Sequence, residues 1–502
     1  MNTGTPWLDA DAAEARVVHL QRKLHAWANN DDTKRFHDLF NLVCDPATLQ
    51  VAWAKVRSNK GSRTAGIDAF TRYHVEHRYG ADRFLSELRQ ALRARTFRPL
   101  PVRERGIPKK SGKVRYLGIP TLRDRVVQMA LKLVLEPIFE ADFYVSSYGY
   151  RPGRRAQDAI AEIVHFTNPP SSYGWVVEAD IEACFDRIDH QALMAQVERR
   201  IGDRRVLRLI RAFLRAGVLT ETGQLERRLT GTPQGGIISP LLANVALDVL
   251  DREFERRWAE TCRYPGYRQQ LRRKGQATYR LVRFADDFVV LVRGTRAQAE
   301  AVLAELPALV GRIGVQLSPS KTHLSHIDDG FGFLGQTLRR KPRANKQPCV
   351  YTFVADEALA SVMRKVKALT TRSTTNLTLH QLIRTLNPIL RGWAAYFRFA
   401  AAKRTFAYLG WYTWWRVIGW LRKKHPKLGW KQLRRRYQLP GQPQERGLVL
   451  YNPASMRVLR YRFRGAKIAT PWAEVQPAAP RHRRMSFDET EFLGWTQEAL
   501  FV

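Results

Sequence analysis

Two apolar stretches that carry acidic residues constrain the fold of this chain more than any other feature. Residues 175–180 are rich in β-branched side chains and end in Asp180, which is typical of a buried strand. Residues 279–292 predict a β-hairpin whose turn holds Asp286 and Asp287 between two apolar strands. Burying carboxylates without compensating positive charge is costly. The pattern predicts a sheet with an acidic, cation-binding edge, although a solvated turn explains the Asp-Asp pair alone equally well.

The charge of the chain indicates its class of partner. The 502 residues include 84 Lys and Arg against 46 Asp and Glu, which gives a formal net charge of +38. Residues 341–502 hold 30 basic and 8 acidic residues, so this third contributes 30 − 8 = +22. Neutralising phosphates releases counterions, so a nucleic acid is the expected partner. A basic surface kept only for solubility is the alternative.

Other features argue against several classes of protein. The four cysteines form no Cys-x-x-Cys pair, which disfavours a disulfide framework or a zinc ribbon and favours a reducing cytosol. No apolar run reaches 18 residues, so no membrane partner is expected. Gly330, Gly332 and Gly335 have the spacing of a dinucleotide-binding loop, but Arg339 to Arg343 follow where its helix should begin, so no small-molecule redox cofactor is expected. We expect a cytoplasmic, nucleoid-associated protein from a bacterium.

Hydrophobic spacing predicts a mixed α and β chain. Helices are expected at 17–27 and at 36–43, the second ending before Pro46. Residues 99–120 predict a β-hairpin region, and residues 123–139 an apolar helix. Further helices are predicted at 297–310 and near 357–370, 379–400 and 404–424.

The predicted positions of the three acids suit phosphoryl transfer. That chemistry depends on metal ions that hold the attacking and leaving oxygens. Mg²⁺ prefers oxygen ligands, so carboxylates must converge from separate strands. Asp180 at a strand end and Asp286-Asp287 in a tight turn would present their carboxylates away from the sheet, where an ion and a triphosphate can approach.

An ordered series of motifs surrounds these acids. In chain order it comprises Ile107-Pro108-Lys109, Arg115-Tyr116-Leu117-Gly118-Ile119-Pro120, Arg123-Asp124-Arg125-Val126-Val127-Gln128, Asp180-Ile181-x-x-x-Phe185-Asp186, Gly231-Thr232-Pro233-Gln234-Gly235-Gly236, Phe284-Ala285-Asp286-Asp287, Leu317-Ser318-Pro319-Ser320-Lys321-Thr322 and Phe333-Leu334-Gly335. The series resembles the fingers and palm blocks of reverse transcriptases. The loop from Gly61 to Phe70 resembles the extra N-terminal block of group II intron proteins. One departure is Phe284, where the family usually has tyrosine.

The C-terminal third extends the resemblance. Leu386-Asn387-Pro388-x-x-Arg391-Gly392-Trp393-x-x-Tyr396-Phe397 and Arg422-x-x-His425-Pro426 resemble the thumb, or maturase domain, of the same family. After Trp430 the sequence contains a single histidine, His482, and no cysteine. In this respect the chain resembles family members that lack a His-Asn-His endonuclease.

The resemblance implies an α+β right-hand polymerase, with reverse transcriptase fingers and palm followed by an α-helical thumb. The expected segments are an N-terminal helical extension (1–85), fingers and palm (86–340), the thumb (341–455) and a short basic segment that could contact DNA (456–502). The implied function is RNA-directed DNA synthesis for a group II intron, together with help in folding and splicing the intron RNA. Its partners would be the intron RNA, a DNA target and primer, and dNTPs. The alternatives are a domesticated relative acting in DNA repair or phage defence, and a splicing-only RNA-binding maturase with an inactive palm, against which the complete acid set argues.

The resemblance also implies roles for single residues. Asp180, Asp286 and Asp287 would be catalytic and, with the carbonyl of Ile181, would bind two Mg²⁺ ions, for which Mn²⁺ is an expected substitute. The implied nucleotide-binding residues are Lys109, Arg115, Phe185, Gln234 and Lys321. Phe185 would be the steric gate against a ribose 2′-hydroxyl, although a phenylalanine after a strand is more often part of the core.

The basic residues of the thumb are the expected contacts to RNA. We expect Arg422, Lys423, Lys424 and Lys427 to bind RNA phosphates. Trp411, Trp414 and Trp415 recur at helical spacing, which more often indicates a helix core than a platform for stacking bases.

Overall fold

The computed structural model describes residues 7–108, 114–226, 230–264, 266–344, 346–439 and 441–473. The helices are α1 (Ala10–Asn30), α2 (Phe40–Val43), α3 (Pro46–Ser58), α4 (Arg72–His74), α5 (Ala81–Arg93), α6 (Leu122–Asp142), α7 (Ala156–Thr167), α8 (Cys184–Arg187), α9 (His190–Glu198), α10 (Arg204–Leu214), α11 (Ser239–Glu260), α12 (Tyr267–Arg273), α13 (Arg296–Gly311), α14 (Asp356–Leu369), α15 (Leu379–Phe397), α16 (Lys403–Lys424) and α17 (Trp430–Tyr437). The strands are β1 (Val102–Pro108), β2 (Val114–Ile119), β3 (Trp175–Glu182), β4 (Val218–Leu219), β5 (Leu225–Glu226), β6 (Thr278–Phe284), β7 (Asp287–Arg293), β8 (Gln316–Leu317), β9 (His323–His326), β10 (Phe331–Phe333), β11 (Gln336–Arg343), β12 (Lys346–Val354), β13 (Gln444–Glu445) and β14 (Leu448–Val449).

The described residues form two compact units. Unit 1 comprises those within 1–154, 177–323 and 466–502, and unit 2 comprises those within 155–176 and 324–465. This division does not follow the four predicted segments, which stay predictions. Residues 155–176 join unit 2 through long-range contacts such as the ion pair between Arg464 and buried Asp158 (2.6 Å). Local sequence patterns do not show contacts between residues so far apart in the chain.

The central sheet of unit 1 has the strand order β6-β7-β3-β8. Strands β6 and β7 pair antiparallel as far as Phe284 and Asp287, so Ala285 and Asp286 form a two-residue turn. Strand β7 also neighbours β3, which places this turn at the edge where Asp180 lies. The valines and leucines of both hairpin strands are buried. The predicted hairpin at 279–292 is confirmed.

Within unit 1, α11 and α13 pack against strands of this sheet, and α1, α3 and α6 pack against one another. Helix α6 is buried along most of its length and packs against α1 and α3. The buried amide of Gln21 donates to the carbonyl of Leu133 (2.8 Å), which ties α1 to α6. The helix predicted at 36–43 is present only as α2 (Phe40–Val43), which does end before Pro46, whereas α3 was not predicted: Asp45 caps its first turn and Pro46 stands at its N-terminus. Proline has no N–H to donate and is therefore well suited to that position.

The loop that resembles the extra N-terminal block is held by one buried arginine. Arg125, at the start of α6, donates to the carbonyls of Gly61 (2.7 Å) and Thr64 (2.8 Å) and, through Nε, to that of Pro120 (2.9 Å). A Cβ on Gly66 would lie 2.7 Å from the Cα of Thr121, so the loop approaches α6 too closely for a larger residue. The arginine in the predicted fingers motif therefore fixes the loop to the start of the helix.

Unit 2 combines a small sheet with a helical bundle. Strands β10, β11 and β12 form an antiparallel sheet, and α14, α15 and α16 surround a core that includes Leu386, Leu390 and Trp420. Asn387 lies within α15, donates to the carbonyl of Val449 (2.9 Å) and accepts from the N–H of Tyr451 (2.8 Å). The asparagine of the thumb motif therefore joins α15 to β14 and to the residues that follow it. The three helices predicted after residue 355 are confirmed.

Candidate active site

The acidic turn is supported by a network of buried polar groups. Arg283, at the end of β6, is fully buried and pairs with Asp251 of α11 (2.8 Å from Nε). The same guanidinium donates to Asn244 (3.0 Å), to Ser147 (2.7 Å) and to the carbonyl of Ala285 (3.0 Å) within the turn. A buried charge is stable only when it is paired and hydrogen-bonded, as this one is. The network therefore holds the turn rigidly against α11.

A glycine allows a second segment to pack against the same turn. A Cβ on Gly149 would lie 2.3 Å from the backbone nitrogen of Ala285, so only glycine fits there. Asn244 donates to the carbonyl of Gly149 (2.9 Å), which links this contact to the Arg283 network. The next residue, Tyr150, has a positive φ of 59° and an exposed ring. Sequence reasoning missed Tyr150, for which the only signal was the glycine between two tyrosines.

The structure brings the three predicted catalytic acids together. Burial, a hydrogen bond with Asp180 and the negative charge of Asp286 raise the pKa of Asp287 to about 7. Burial and the charge of Asp180 also raise the pKa of Asp286. Strand β3 continues to Glu182, so Asp180 lies two residues before the strand end rather than at its last position. Three carboxylates that repel one another are a site prepared to bind positive charge.

Lys321 supplies part of that charge. Its Nζ lies 2.9 Å from Oδ2 of Asp180, and this hydrogen bond raises the pKa of Lys321. Strand β8 positions the lysine, since Ile181 pairs with Leu317 and the N–H of Ser318 donates to the carbonyl of Asp180 (2.8 Å). In this structure Lys321 therefore contacts a predicted catalytic acid, whereas the predicted contact was to a nucleotide.

The donor atoms of the site fit a divalent cation. Asp180, Asp286 and Asp287 offer only oxygen donors, the type that Mg²⁺ prefers, and burial together with neighbouring negative charge raises the pKa values of Asp286 and Asp287. Within the described ranges, no group of three or more His, Cys, Asp or Glu side chains is arranged so that it could hold a metal ion by itself. Mg²⁺ usually takes one or two carboxylates and completes its coordination with water and substrate phosphates.

Two predicted nucleotide-binding residues contact each other beside the acids. Nε of Arg115 on β2 donates to Oε1 of Gln234 (2.7 Å), and the amide of Gln234 donates to Asp186 (3.3 Å). The loop of Gln234 lies on β2, where a Cβ on Gly235 would meet the carbonyl of Gly118 at 2.5 Å. The positive charge of Arg115 lowers the pKa of Asp286 against the larger effect of burial, so the two groups interact electrostatically.

Phe185 lies between the core and this site. Its side chain is buried in the first turn of α8, and its ring packs edge-on against Tyr150, with centroids 6.1 Å apart. After burial, the charge of Asp286 is the next cause of the raised pKa of Tyr150, so the tyrosine lies within electrostatic range of the acids. The Phe185–Tyr150 pair therefore forms an aromatic wall next to the carboxylates. Lys109, the remaining predicted nucleotide-binding residue, lies outside the described residues.

The predicted RNA-binding cations at the end of α16 and in the turn after it differ in their surroundings. Arg422, Lys423 and Lys427 are exposed. Lys424 instead donates to the carbonyl of Thr375 (2.7 Å) and lies over the ring of Trp420. Lys424 therefore contributes to the packing of unit 2, and the three exposed cations are the better candidates for binding phosphates.

Two protein-family models match consecutive segments of the chain, the first containing the acidic site and the second containing the cations at the end of α16. The model for the reverse transcriptase (RNA-dependent DNA polymerase) matches residues 107–338. The model for the group II intron, maturase-specific domain matches residues 359–438. The fold is thus a right-hand polymerase followed by a helical domain, and the class of protein is a divalent-metal-dependent reverse transcriptase.

Individual relatives narrow this class. "Protein YkfC" of Escherichia coli strain K12 is 36% identical over 361 residues, which cover 68% of this chain and 93% of that protein. The "Group II intron-encoded protein LtrA" of Lactococcus lactis subsp. cremoris is 32% identical over 358 residues, which cover 61% of this chain and 57% of LtrA. A telomerase structure from Candida albicans is similar over 68% of this chain, at 13% identity and a TM-score of 0.36, values too low to support an argument. The chain belongs to the family of group II intron-encoded reverse transcriptase/maturases.

None of the helices in the described part of the chain combines the length and the apolar character that a membrane span requires.

Proposed function

We propose that this chain copies the RNA of a group II intron into DNA by two-metal nucleotidyl transfer and assists the folding and splicing of that RNA. The observation that carries the proposal is the meeting of Asp180 with the Asp286-Asp287 turn, beside Arg115 and Gln234. A rigid carboxylate cluster next to a cation and an amide is suited to a nucleoside triphosphate. Family membership supplies the RNA template and the maturase role.

The acids would hold two Mg²⁺ ions, with Mn²⁺ as a substitute and the Ile181 carbonyl as an additional ligand. When bound, the ions would stabilise the negative charge on the attacking and leaving oxygens. In the reaction, the 3′-hydroxyl oxygen of the primer would lose its proton to solvent and bond to the α-phosphorus of a dNTP, while the bond from that phosphorus to the pyrophosphate leaving group would break. Asp287, whose pKa lies near 7, must lose its proton before it can serve as a ligand. Lys321, which pairs with Asp180 in this structure, would supply positive charge close to the phosphates of the nucleotide.

The neighbouring residues would select and orient the nucleotide. Arg115 offers a planar, permanently charged fork to the triphosphate, and Lys109 would add a point charge. Gln234 would orient Arg115 through the hydrogen bond between them. Phe185, held by Tyr150, would lie under the sugar and exclude a 2′-hydroxyl. The exposed cations Arg422, Lys423 and Lys427 would bind intron RNA, while the DNA target and primer complete the set of partners.

The test replaces Asp286 with asparagine, which preserves size and removes charge. DNA synthesis on an RNA template should fall by at least about a thousandfold, since a metal ligand in the reacting site is lost. Binding of intron RNA should stay within a few-fold, because affinity comes from phosphate contacts elsewhere. Asp329→Asn, which removes an exposed carboxylate, is the matched control. Primer extension by Asp286→Asn at the wild-type rate would refute the assignment of the site.

A further inference from the structure

One face of α16 carries an exposed row of aromatic rings. Tyr408, Trp411 and Trp415 are 46%, 58% and 52% exposed. Steps of three and four residues place side chains on the same face of a helix, so these rings form one ridge. The rings of Tyr408 and Trp411 already stack on each other, with centroids 5.9 Å apart and planes inclined by 26°. Large aromatic side chains exposed in a continuous row indicate a binding surface.

Three other tryptophans of unit 2 show what a packed indole looks like in this unit. The indole N–H of Trp393 donates to the carbonyl of Ala358 (3.3 Å), that of Trp414 to Gly441 (3.2 Å) and that of Trp420 to the hydroxyl of Thr374 (3.0 Å). The indole N–H groups of Trp411 and Trp415 make no hydrogen bond within the described part of the chain. The expectation that the tryptophans at 411, 414 and 415 form a helix core therefore holds in part for Trp414 and is wrong for the other two.

Positive charge continues the ridge at both ends. Arg404 lies four residues before Tyr408, and Arg422 lies seven residues after Trp415, on the same face and exposed. Between Trp415 and Arg422 this face holds Gly419, where an added Cβ would meet nothing within 4 Å, so an approaching molecule can reach the helix backbone. From one arginine to the other, the stripe is about 27 Å long at 1.5 Å for each residue. Helix α16 has no acidic residue.

This combination selects one class of ligand. A row of π-faces binds bases whatever their identity, and cations at its ends bind the backbone that joins them. Bases within a duplex are already stacked on each other and cannot offer their faces to a side chain. A protein partner would need complementary acidic groups next to an apolar groove.

We propose that the aromatic stripe, defined as Arg404, Tyr408, Trp411, Trp415, Gly419 and Arg422, binds an unpaired single-stranded segment of RNA by stacking its bases on the three rings. The inference rests on the proposed function, since the RNA would be the intron that the protein assists. It adds a site for unpaired bases to the phosphate contacts of the thumb. Unpaired loops and junctions are the parts of a folded RNA that can be splayed out in this way.

The experiment measures the affinity of the full chain for a single-stranded oligouridylate of about 12 nucleotides, a length within the usual site sizes for single-stranded binding. The second probe is an abasic ribose-phosphate oligomer of the same length. The double variant Trp411→Ala/Trp415→Ala should bind the oligouridylate about tenfold or more weakly than the wild type, because stacking on the two rings is lost. The affinity of this variant for the abasic oligomer should be unchanged. Both side chains are exposed, so the variant is expected to fold.

Two further variants separate stacking from charge. Trp411→Phe/Trp415→Phe keeps the π-faces and should restore most of the affinity. Arg404→Gln should instead make the slope of log affinity against log salt shallower by roughly 0.7, the value for one phosphate contact on a single strand. The double alanine variant should lower the affinity at every salt concentration but leave the slope of log affinity against log salt unchanged. Tyr73→Ala, which removes an exposed ring from unit 1, is the matched control.

Two results would overturn the inference. One is an alanine variant that binds the oligouridylate within twofold of the wild type. The other is a wild type that self-associates through the stripe, seen as a dimer in light scattering that the alanine variant dissociates while its RNA affinity stays unchanged. In either case, normal DNA synthesis by the variant would leave the proposed function standing, whereas an inactive wild type would contradict the function itself.

Discussion

Replacing Asp287 with asparagine should abolish DNA synthesis and also stabilise the metal-free protein at alkaline pH. Burial, the hydrogen bond with Asp180 and the charge of Asp286 raise the pKa of Asp287 from 3.8 to about 7. The folded protein therefore holds a proton on this carboxyl group that the unfolded chain releases near pH 4. As the pH rises from about 4 to 7, the wild type loses stability, and above pH 7 the loss is complete. Asparagine has no charge to bury and avoids this loss.

The size of the effect follows from the pKa. Each pH unit between the folded and unfolded pKa values corresponds to about 1.4 kcal/mol, so a rise of roughly three pH units sets an upper limit of about 4 kcal/mol. Because burial is only one of the causes of the raised pKa, and the hydrogen bond with Asp180 changes in the variant, we expect the variant to recover about half, or roughly 2 kcal/mol, at pH 8. For a unit of this size that free energy corresponds to an increase of about 4 °C in the melting temperature. At pH 5 most of the gain should be absent.

Thermal unfolding in EDTA at pH 5 and at pH 8 measures the difference between variant and wild type. Adding Mg²⁺ at pH 8 should raise the melting temperature of the wild type more than that of Asp287→Asn, because binding to the folded state alone stabilises it. Asp32→Asn, in an exposed loop, controls for the loss of one negative charge. Equal stabilisation at both pH values, or a variant less stable than the wild type at pH 8, would refute this account of the acid cluster.

Two other substitutions test the remaining parts of the site. Phe185→Ala should raise the incorporation of ribonucleotides relative to deoxyribonucleotides by roughly tenfold or more in single-nucleotide extension, since the space under the sugar opens; Phe185→Tyr should not, and an unchanged ratio in the alanine variant would make Phe185 a core residue only. Neutralising Arg422, Lys423 and Lys427 with glutamine, leaving Lys424 in place, should lower the slope of log affinity against log salt for intron RNA by roughly 0.7 to 0.9 for each phosphate that the protein no longer neutralises. Primer extension on a short primer-template should change less than the binding of intron RNA. Lys365→Gln/Lys367→Gln is the control. Equal losses on both substrates would instead assign the three cations to binding of the primer-template.

Much of this molecule follows from short-range sequence patterns. Alternating and β-branched residues predict the β6–β7 hairpin, and helical spacing predicts α14, α15 and α16 to within a few residues. Hydrophobic periodicity and local composition depend on residues close together in the sequence, so they can be recognised without knowledge of the fold. Pro46 shows the limit of even local patterns, because a proline between two apolar runs suits either the end of one helix or the start of the next.

The candidate site depends on sequence and fold in different ways. The three acids and Arg115 could be named in advance because an ordered set of motifs is specific even when each member is weak. The contacts among them could not. Lys321 pairs with Asp180 only because β8 lies beside β3, and Tyr150 meets Phe185 only because Gly149 lets its segment approach the turn.

Tertiary structure alone decided which polar and aromatic side chains are free to bind. Hydrophobic period shows that Trp411, Trp414 and Trp415 follow a helix, but not which of them a neighbouring segment covers. Here residue 441 accepts the indole N–H of Trp414, and the other two remain exposed. Similarly, Lys423 and Lys424 are equivalent in sequence, yet only Lys424 reaches the carbonyl of Thr375. Coverage depends on segments distant in the chain, so no pattern within a helix can encode it.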